Sequence, residues 1–319
     1  MNSIEQHPES PLEVLKIDLF QEKGIQCWIK RDDLLHLPVP GSPWAFSGNK
    51  WRKLKYNLLT ARAQQQSTLL SYGGAYSNHL AALAAAGSLF GFKTVGVVRG
   101  EVHESLNPTL AAAKAAGMQL HYLSRNTFKI KDHSAVQVIL KQHYGKYYAI
   151  PDGGSNTLAL QGCQELVSEI QRKISPDYLC VPCGTGGTAA GIISATRPGT
   201  KVLAYASLKG SFLHQNIQAL LEETPKAPWD LIHDAHLGGY AKTSPELFAF
   251  MHQFHAQTGI FLDPIYTGKM FFHFFEQVKQ NYFPPGSRIV LIHTGGLQGI
   301  AGFVERFGAV IPVPKTQDL

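Results

Sequence analysis

One lysine stands where its amine could act as a covalent catalyst. Lys50 lies in residues 47–56, SGNKWRKLKY, directly after Gly48 and Asn49 and at the start of a predicted helix. A glycine-containing junction lets such an amine reach a buried ligand, and burial beside cations lowers its pKa. Basic residues at 52, 53 and 55 also fit an ordinary solvent-exposed first turn. The other motifs of the chain favour the catalytic interpretation.

The loop at 184–188, GTGGT, follows the apolar run LCVPC and precedes a helix rich in Ala and Gly. Glycines let backbone amides point at a ligand, and a helix N-terminus adds about half a positive charge. The pattern therefore predicts a phosphate cradle, with a tight strand-to-helix turn as the alternative. The predicted cradle residues are Gly184, Thr185, Gly186, Gly187 and Thr188.

This loop resembles a dinucleotide fingerprint only loosely. Ala189 stands near the third glycine position, and the next strand, KVLAYAS, ends in Ser207 where an acid would bind the ribose. NAD is therefore disfavoured, whereas an NADP-linked oxidoreductase stays an alternative.

Three further loops carry polar groups at predicted strand ends. In GGAYSNH, Ser77, Asn78 and His79 open an Ala-rich helix and could hold an anion such as a carboxylate; an ordinary helix cap is the alternative. Thr294 follows the strand RIVLIH, and its hydroxyl could bond a ring nitrogen or a phosphate. In DPIYTGK, Tyr266 could serve as an acid or a base.

The elements that must position these groups alternate between strand and helix from residue 67 onward. Such alternation predicts an α/β fold with mostly parallel sheets covered by helices, and ligands bind there at the carboxyl ends of strands. Before this region, residues 11–20 read as extended, residues 36–46 as a proline-rich loop, and residues 50–66 as a helix. Residues 210–285 are less regular.

Composition restricts the class of protein. The chain has 319 residues, 44% hydrophobic and 16% charged, which predicts two domains. A net charge of +6 is dispersed, which suits anionic small molecules better than nucleic acid. Four cysteines in so long a chain do not suggest a disulfide framework. Without an apolar N-terminal run or a membrane-length stretch, the chain is expected to be a soluble cytoplasmic protein with no membrane partner.

Several other features are interpreted structurally. Cys180 and Cys183 form a CxxC on a predicted core strand without a second pair, which disfavours zinc or redox use. The aromatic residues at 271–275 predict helix packing or a dimer surface. Two histidine pairs have three-residue spacing but no recognisable third ligand, and no metal is predicted: His233 with His236, and His252 with His255.

Taken together, SGNK, GGxxSNH, GTGGT, DPxYTGK and HTGG resemble the D-cysteine desulfhydrase and 1-aminocyclopropane-1-carboxylate deaminase family. The resemblance runs from about Lys30 to Gly299, with the motifs in the family's order. It implies a pyridoxal-phosphate enzyme of the tryptophan synthase β fold type, with two open, mostly parallel twisted sheets. It also implies a small α/β domain at 52–155 inserted in a large cofactor-binding domain at 1–51 and 156–319, and a homodimer.

The resemblance assigns cofactor contacts. It implies that Lys50 forms the Schiff base with pyridoxal phosphate and that Asn78 bonds the cofactor's phenolic oxygen. Residues 184–188 would surround the phosphate, and Thr294 would lie at the pyridine nitrogen.

The resemblance also implies a substrate side. Ser77 and Tyr266 would face a small amino-acid substrate, together with Asn78 and His79. Lys50 is the best candidate for the base at the α-carbon, with Tyr266 and Ser77 as alternatives.

The expected reaction is β-elimination. A hydroxyl at Thr294 supplies less charge to the pyridine nitrogen than a carboxylate would, which favours prompt loss of a β-leaving group. In the family, ring-opening deaminases carry Glu and Leu at the positions of Thr267 and Thr294, and desulfhydrases carry small hydroxyl residues. D-cysteine, giving pyruvate, ammonia and sulfide, is therefore the predicted substrate. The alternatives are 1-aminocyclopropane-1-carboxylate or another small amino acid and, from other classes, an NADP-linked oxidoreductase or a non-catalytic cofactor-binding protein.

Two departures from the family bear on the substrate. Tyr76 replaces the usual Gln before the Ser-Asn pair, and the helix after His79 reads LAALAA without the usual polar residues. Both are expected to lie near the substrate carboxylate, so that the bulk of Tyr76 could narrow the site.

Overall fold

A computed structural model describes residues 4–5, 9–37, 39, 46–102, 104–308 and 310–314. Within these residues the strands are β1 Leu12–Val14, β2 Gln26–Arg31, β3 His36–Leu37, β4 Phe46–Ser47, β5 Thr68–Gly74, β6 Lys93–Arg99, β7 Gln119–Leu123, β8 Tyr148–Ala149, β9 Tyr178–Cys183, β10 Lys201–Ala206, β11 Trp229–Ile232 and β12 Arg288–His293. The helices are α1 Asp18–Glu22, α2 Asn49–Ala63, α3 Asn78–Phe90, α4 Pro108–Ala115, α5 Arg125–Lys129, α6 Ser134–Tyr144, α7 Thr157–Gln171, α8 Gly187–Ala195, α9 Phe212–Leu220, α10 Pro245–Thr258, α11 Thr267–Lys279 and α12 Gly299–Phe307.

The strands form two main sheets. The larger has the order β1-β2-β12-β9-β10-β11, and the smaller has the order β7-β6-β5-β8. All pairs are parallel except β1 with β2, and a separate antiparallel ribbon joins β3 to β4. The α/β class with mostly parallel sheets is therefore confirmed.

Helices cover both faces of each sheet, which is why the central strands read as nearly continuous apolar runs. In β9, Leu179 and Val181 pack toward α7 and α8, whereas Cys180 packs toward α11. In β5, Leu69 packs toward α2 and α3, whereas Leu70 packs toward α6. In the described part of the chain, no helix is long and apolar enough to span a bilayer.

The structure corrects several local predictions. Within the segment predicted as extended, residues 18–22 form α1, because burial of Phe20 in the core is satisfied by a helical turn. Residues 36–46 were predicted as loop, but β3 and β4 occupy their ends; positions 38 and 40–45 lie outside the described residues. Helix α2 ends at Ala63, three residues before the predicted end at Gln66.

The aromatic run in α11 belongs to the core. Phe271, Phe274 and Phe275 are buried and pack with Phe20 and Phe254. These three rings therefore provide helix packing, and the alternative of a dimer surface is wrong for them.

Candidate active site

Helix α2 begins against the end of β12, which determines where Lys50 points. The backbone amide of Asn49 donates to the Thr294 carbonyl at 3.0 Å. Gly48 has φ +69°, and a Cβ at this position would lie 2.6 Å from the Thr294 carbonyl oxygen. Only glycine permits this close approach. Lys50 consequently enters the cavity between the two sheets, where its amine donates to Asn49 Oδ1 at 2.8 Å.

A buried ion network holds the first turns of α2. Arg52, which is 0% exposed, donates to Asp32 at 2.8 Å and to Glu169 at 2.7 Å. Lys30 donates to the other oxygen of Glu169 at 2.5 Å. Two cations and two carboxylates thus join α2 to α7 and to the β2 strand. The predicted alternative, a solvent-exposed basic turn, is wrong for Arg52.

The surroundings of Lys50 favour a neutral amine. Burial, and secondarily the charge of Lys53, lower the pKa of Lys50 to about 7. An ordinary lysine amine is almost fully charged at neutral pH and has no free lone pair. Lys50 therefore has both the position and the protonation state of a nucleophilic amine.

This pKa predicts how the apoprotein captures pyridoxal phosphate. Only neutral Lys50 can attack the aldehyde, so the capture rate should rise about tenfold per pH unit below pH 7 and level off above it. Stopped-flow absorbance of the cofactor between pH 5.5 and 9.5 measures this. A midpoint near 10 would mean that Lys50 has an ordinary pKa.

The GTGGT loop forms a cradle at the start of α8. β9 ends at Cys183, Gly186 takes φ +93°, and α8 starts at Gly187. The first amides of a helix have no partner within it and are available to an anion. Thr185 Oγ1 lies 2.8 Å from Ser155 Oγ, and Thr188 Oγ1 accepts from Asn49 Nδ2 at 2.9 Å. The cradle is thereby tied to the turn that carries Lys50.

Lys53 is a further lysine of the cradle, and its position there was not predicted from the sequence; burial lowers its pKa. It is 2% exposed, lines the cavity and donates to Ser155 Oγ at 3.1 Å and to the Gly153 carbonyl. A Cβ at Gly187 would lie 3.0 Å from its amine, so the amine lies beside the α8 N-terminus. Its position three residues after Lys50 could have indicated it, because such residues share a helix face.

Ser77 and Asn78 lie at the start of α3. Ser77 caps the helix by accepting from the Leu80 amide at 3.2 Å, so the ordinary-cap interpretation holds for it while it also lines the cavity. A Cβ at Gly296 would lie 2.9 Å from Asn78 Nδ2. The Asn78 amide therefore faces the turn that follows β12.

His79 is neutral, with a defined tautomer. The Ser71 hydroxyl donates to the Ile150 carbonyl at 2.8 Å and must therefore accept from His79 Nε2 at 2.8 Å. Burial, followed by the charges of Lys53 and Lys50, lowers the His79 pKa well below its usual range. Nδ1 is thus a buried acceptor, and it has no partner among the described residues.

Tyr266 is held beside the cradle by Asp263. The Asp263 carboxylate accepts from the Tyr266 amide at 2.7 Å and from the Thr267 hydroxyl at 2.6 Å. A Cβ at Gly184 would lie 2.9 Å from Tyr266 Cε1, so glycine leaves room for the ring. Burial, followed by Tyr240 and Asp263, raises the Tyr266 pKa well above its ordinary value. Tyr266 therefore stays protonated and is suited to donate a hydrogen bond rather than to act as a base.

Tyr240 is a second tyrosine that the sequence interpretation overlooked. It lines the cavity, and its ring centroid lies 6.5 Å from that of Tyr266. Lys269 holds the preceding turn by donating to the carbonyls of His236 and Gly239 at 2.8 and 2.7 Å. No sequence signal pointed to Tyr240, which lies in the irregular region.

The two threonines used to distinguish the substrates occupy different environments. Thr294 lines the cavity at the end of β12. Thr267 is 0% exposed and bonded to Asp263, and it does not line the cavity. The choice between D-cysteine and 1-aminocyclopropane-1-carboxylate as substrate therefore rests more on Thr294 than on Thr267.

The residues at positions 76 and 80–85, where the sequence departs from the family pattern, do not line the cavity. A Cβ at Gly302 would lie 2.8 Å from the Tyr76 ring, so the ring packs on α12. Leu80, Leu83 and Ala84 are fully buried in the core of the small sheet. The expectation that the bulk of Tyr76 narrows the site is wrong, since its ring contacts α12.

The predicted site residues come together around one cavity of ≈ 320 Å³. Gly187 is absent from the lining, although its neighbours in the loop belong to it. The predicted residues that line the cavity are Lys50, Ser77, Asn78, His79, Gly184, Thr185, Gly186, Thr188, Tyr266 and Thr294.

These residues fit pyridoxal phosphate. A neutral amine suits its aldehyde, the cradle with Lys53 suits its phosphate, and Thr294 supplies a hydroxyl. His79 Nδ1 is an acceptor that a bound donor or water would satisfy.

Cys183 also lines the cavity, whereas Cys180 and the two histidine pairs do not. Cys180 and Cys183 are buried, unpaired residues of β9. Among the residues described, no group of three or more His, Cys, Asp or Glu side chains could hold a metal ion.

Comparison with known proteins agrees with this geometry. A sequence profile described as "Pyridoxal-phosphate dependent enzyme" matches residues 6–295. The chain therefore belongs to the pyridoxal-phosphate dependent enzymes, within the 1-aminocyclopropane-1-carboxylate deaminase and D-cysteine desulfhydrase group of lyases. This membership excludes the NADP-linked oxidoreductase and the non-catalytic alternatives.

The names of the relatives include two activities, D-cysteine desulfhydrase and 1-aminocyclopropane-1-carboxylate deaminase. The chain is 30% identical, over 90% of its length and 76% of the relative, to the bifunctional D-cysteine desulfhydrase/1-aminocyclopropane-1-carboxylate deaminase, mitochondrial, of Arabidopsis thaliana. It is 27% identical to a D-cysteine desulfhydrase of Klebsiella pneumoniae, covering 92% of this chain and 93% of the relative. The solved structure of a homologue of 1-aminocyclopropane-1-carboxylate (ACC) deaminase is similar to this structure, with a TM-score of 0.81 and 25% sequence identity. The similarity covers 95% of this chain and 94% of that chain.

Proposed function

We propose that the protein catalyses β-elimination of a small amino acid, with D-cysteine as the best candidate and pyruvate, ammonia and sulfide as products. The observation that carries this proposal is the Thr294 hydroxyl at the end of β12. A hydroxyl at the pyridine nitrogen favours early loss of a leaving group over a long-lived carbanion. Bound pyridoxal phosphate supplies the electron sink for the α-carbon.

The chain's own residues would divide the remaining work. Lys50 would hold the cofactor and would also accept the α-proton, because burial lowers its pKa toward the neutral range that suits a base. Tyr266, whose raised pKa keeps it protonated, would donate a hydrogen bond to the leaving group, with Ser77 as the alternative donor. Ser77, Asn78 and His79 orient the substrate, and residues 184–188 with Lys53 hold the phosphate.

A substrate panel tests the reaction. We expect kcat/KM for D-cysteine to exceed that for 1-aminocyclopropane-1-carboxylate by at least about tenfold. L-cysteine and D-serine, under the same conditions, serve to define chirality and leaving group, with pyruvate, ammonia and sulfide or 2-oxobutanoate as readouts. Faster turnover of the cyclopropane substrate would assign the chain to the ring-opening deaminases. Inactivity on all four would overturn the substrate assignment and leave the family membership intact.

The organisation of the chain is also a proposal. The four strands of the small sheet all lie within residues 68–149, which supports a small domain at 52–155 inserted between 1–51 and 156–319. The homodimer and the cytoplasmic location rest on the family resemblance and on composition. Light scattering of the holoenzyme should give twice the mass of one chain.

A further inference from the structure

One positively charged side chain of the small sheet, that of Arg99, faces the cavity, and the proposed β-elimination gives it no role. Arg99 is the last residue of β6, and it lies opposite Gly74 of β5 in the parallel register. Both residues line the cavity. A Cβ at Gly74 would lie 3.7 Å from Arg99 Nη2, so the guanidinium lies over the turn that leads to Ser77 and Asn78.

The guanidinium is positioned by a ring rather than by a carboxylate. It lies 5.9 Å from the centroid of the Phe128 ring, which is buried and also lines the cavity. No carboxylate of the described residues forms a salt bridge with Arg99 within 4.0 Å. Asp152 also lines the cavity; burial raises the pKa of its carboxyl, and the charges of Lys131 and Arg99 partly oppose that rise. Lys131, whose amine lies 5.6 Å from the same ring centroid, pairs with Asp132 at 3.3 Å and does not line the cavity.

We propose that Arg99 binds a second anionic group of the substrate, so that the preferred substrate is an amino acid whose β-substituent ends in a carboxylate or a related acid. This rests on the proposed β-elimination. The α-carboxylate would lie at the start of α3, beside Ser77 and Asn78. Neighbouring strands are about 5 Å apart, so anions held at the ends of β5 and β6 suit acid groups separated by a few bonds. D-cysteine has an α-carboxylate but no second acid group, so it would occupy the position at the start of α3 and leave the position at Arg99 without a carboxylate.

Guanidinium chemistry makes the preference measurable. Its fork donates two parallel hydrogen bonds to a carboxylate, which a neutral amide of the same shape cannot match. A charge-assisted pair of this kind corresponds to about a tenfold to hundredfold difference in affinity. The glycine at 74 leaves the guanidinium uncovered on the side of the α3 turn.

The binding test uses acid and amide pairs without a β-leaving group. Calorimetry of the holoenzyme measures Kd for aspartate against asparagine and glutamate against glutamine, in both chiralities. We expect one acid to bind at least about tenfold more tightly than its amide. Arg99→Gln should abolish that ratio, Arg99→Lys should retain part of it, and Lys114→Gln should leave it unchanged, since Lys114 is an exposed cation outside the cavity lining. Equal binding of acid and amide in every pair, or an unchanged ratio in Arg99→Gln, would overturn the assignment.

The turnover test separates this inference from the proposed reaction. S-carboxymethylcysteine and its amide differ only in the charge of the leaving group. Water and S-carboxymethylcysteine would give pyruvate, ammonia and thioglycolate as the C–S bond breaks, the sulfur leaving as a thiolate that takes up a proton. Turnover of cysteine without an acid preference in either test would refute the Arg99 site alone. An acid preference in binding, with no turnover of any cysteine substrate, would refute the β-elimination alone.

Discussion

Replacing Lys50 by alanine should abolish the visible absorbance of the bound cofactor and lower kcat by about three orders of magnitude or more. The amine that binds the aldehyde is also the proposed base, so one substitution removes both functions. Lys50 sits at the glycine-dependent turn of Gly48 with a pKa of about 7. Absorbance spectra and steady-state turnover measure the two losses.

The neighbouring lysines provide the controls. Lys55 pairs with Glu165 at 2.7 Å and does not line the cavity, so Lys55→Ala should keep both the absorbance and the turnover. Borohydride reduction followed by peptide mass spectrometry should place the adduct on Lys50. An adduct on Lys53 or Lys269 would contradict the assignment; in the structure their amines already donate to Gly153 and Ser155, and to His236 and Gly239.

Replacing Gly186 by aspartate should expel the cofactor. The new side chain would add a negative charge to the cradle loop, and two like charges about 4 Å apart at the rim of a protein repel by about 4 kcal/mol, which corresponds to about a thousandfold in Kd. Gly186 also has φ +93°, and a Cβ there would lie 3.2 Å from Ile217 Cγ1. Titration of the apoprotein with pyridoxal phosphate, followed by absorbance, measures the loss.

A matched glycine separates charge in the cradle from backbone strain. Gly199 also has φ +93°, but nothing lies within 4 Å of a Cβ at this position. Gly199→Asp therefore imposes similar backbone strain away from the cavity and should leave the cofactor Kd unchanged. Thermal melts of both apoproteins check that each is folded. Unchanged cofactor affinity in folded Gly186→Asp would refute the cradle.

The site loops could be located from sequence because their signals are local. Glycines and hydroxyl residues directly after an apolar run mark a strand end, and parallel strands place those ends at a common edge. The GTGGT loop and Thr294 were found in this way, and both line the cavity. The prediction of a loop across 36–46 and of extended structure at 18–20 failed where short elements are set by packing rather than by periodicity.

Other features of the site depend on residues distant in sequence. Tyr240 lies next to Tyr266 because Lys269 holds the turn that precedes Tyr240. Arg99 faces the α3 turn because β6 pairs with β5. Neither contact leaves a periodic or compositional trace. The packing of Tyr76 on α12 likewise follows from the fold. It contradicts the expectation from the sequence that the bulk of Tyr76 narrows the substrate site.

Local motifs were sufficient to predict the class of chemistry: a lysine at a glycine turn, a phosphate cradle and hydroxyl groups at strand ends, in the order of one enzyme family. These are properties of short segments, since backbone freedom and hydrogen-bonding groups belong to individual residues. The electrostatics of the site depend on contacts between residues that are distant in the sequence. The pKa of Lys50 falls to about 7 because burial and Lys53 act on it through space, and the exposure of Arg99 to the cavity follows from strand pairing.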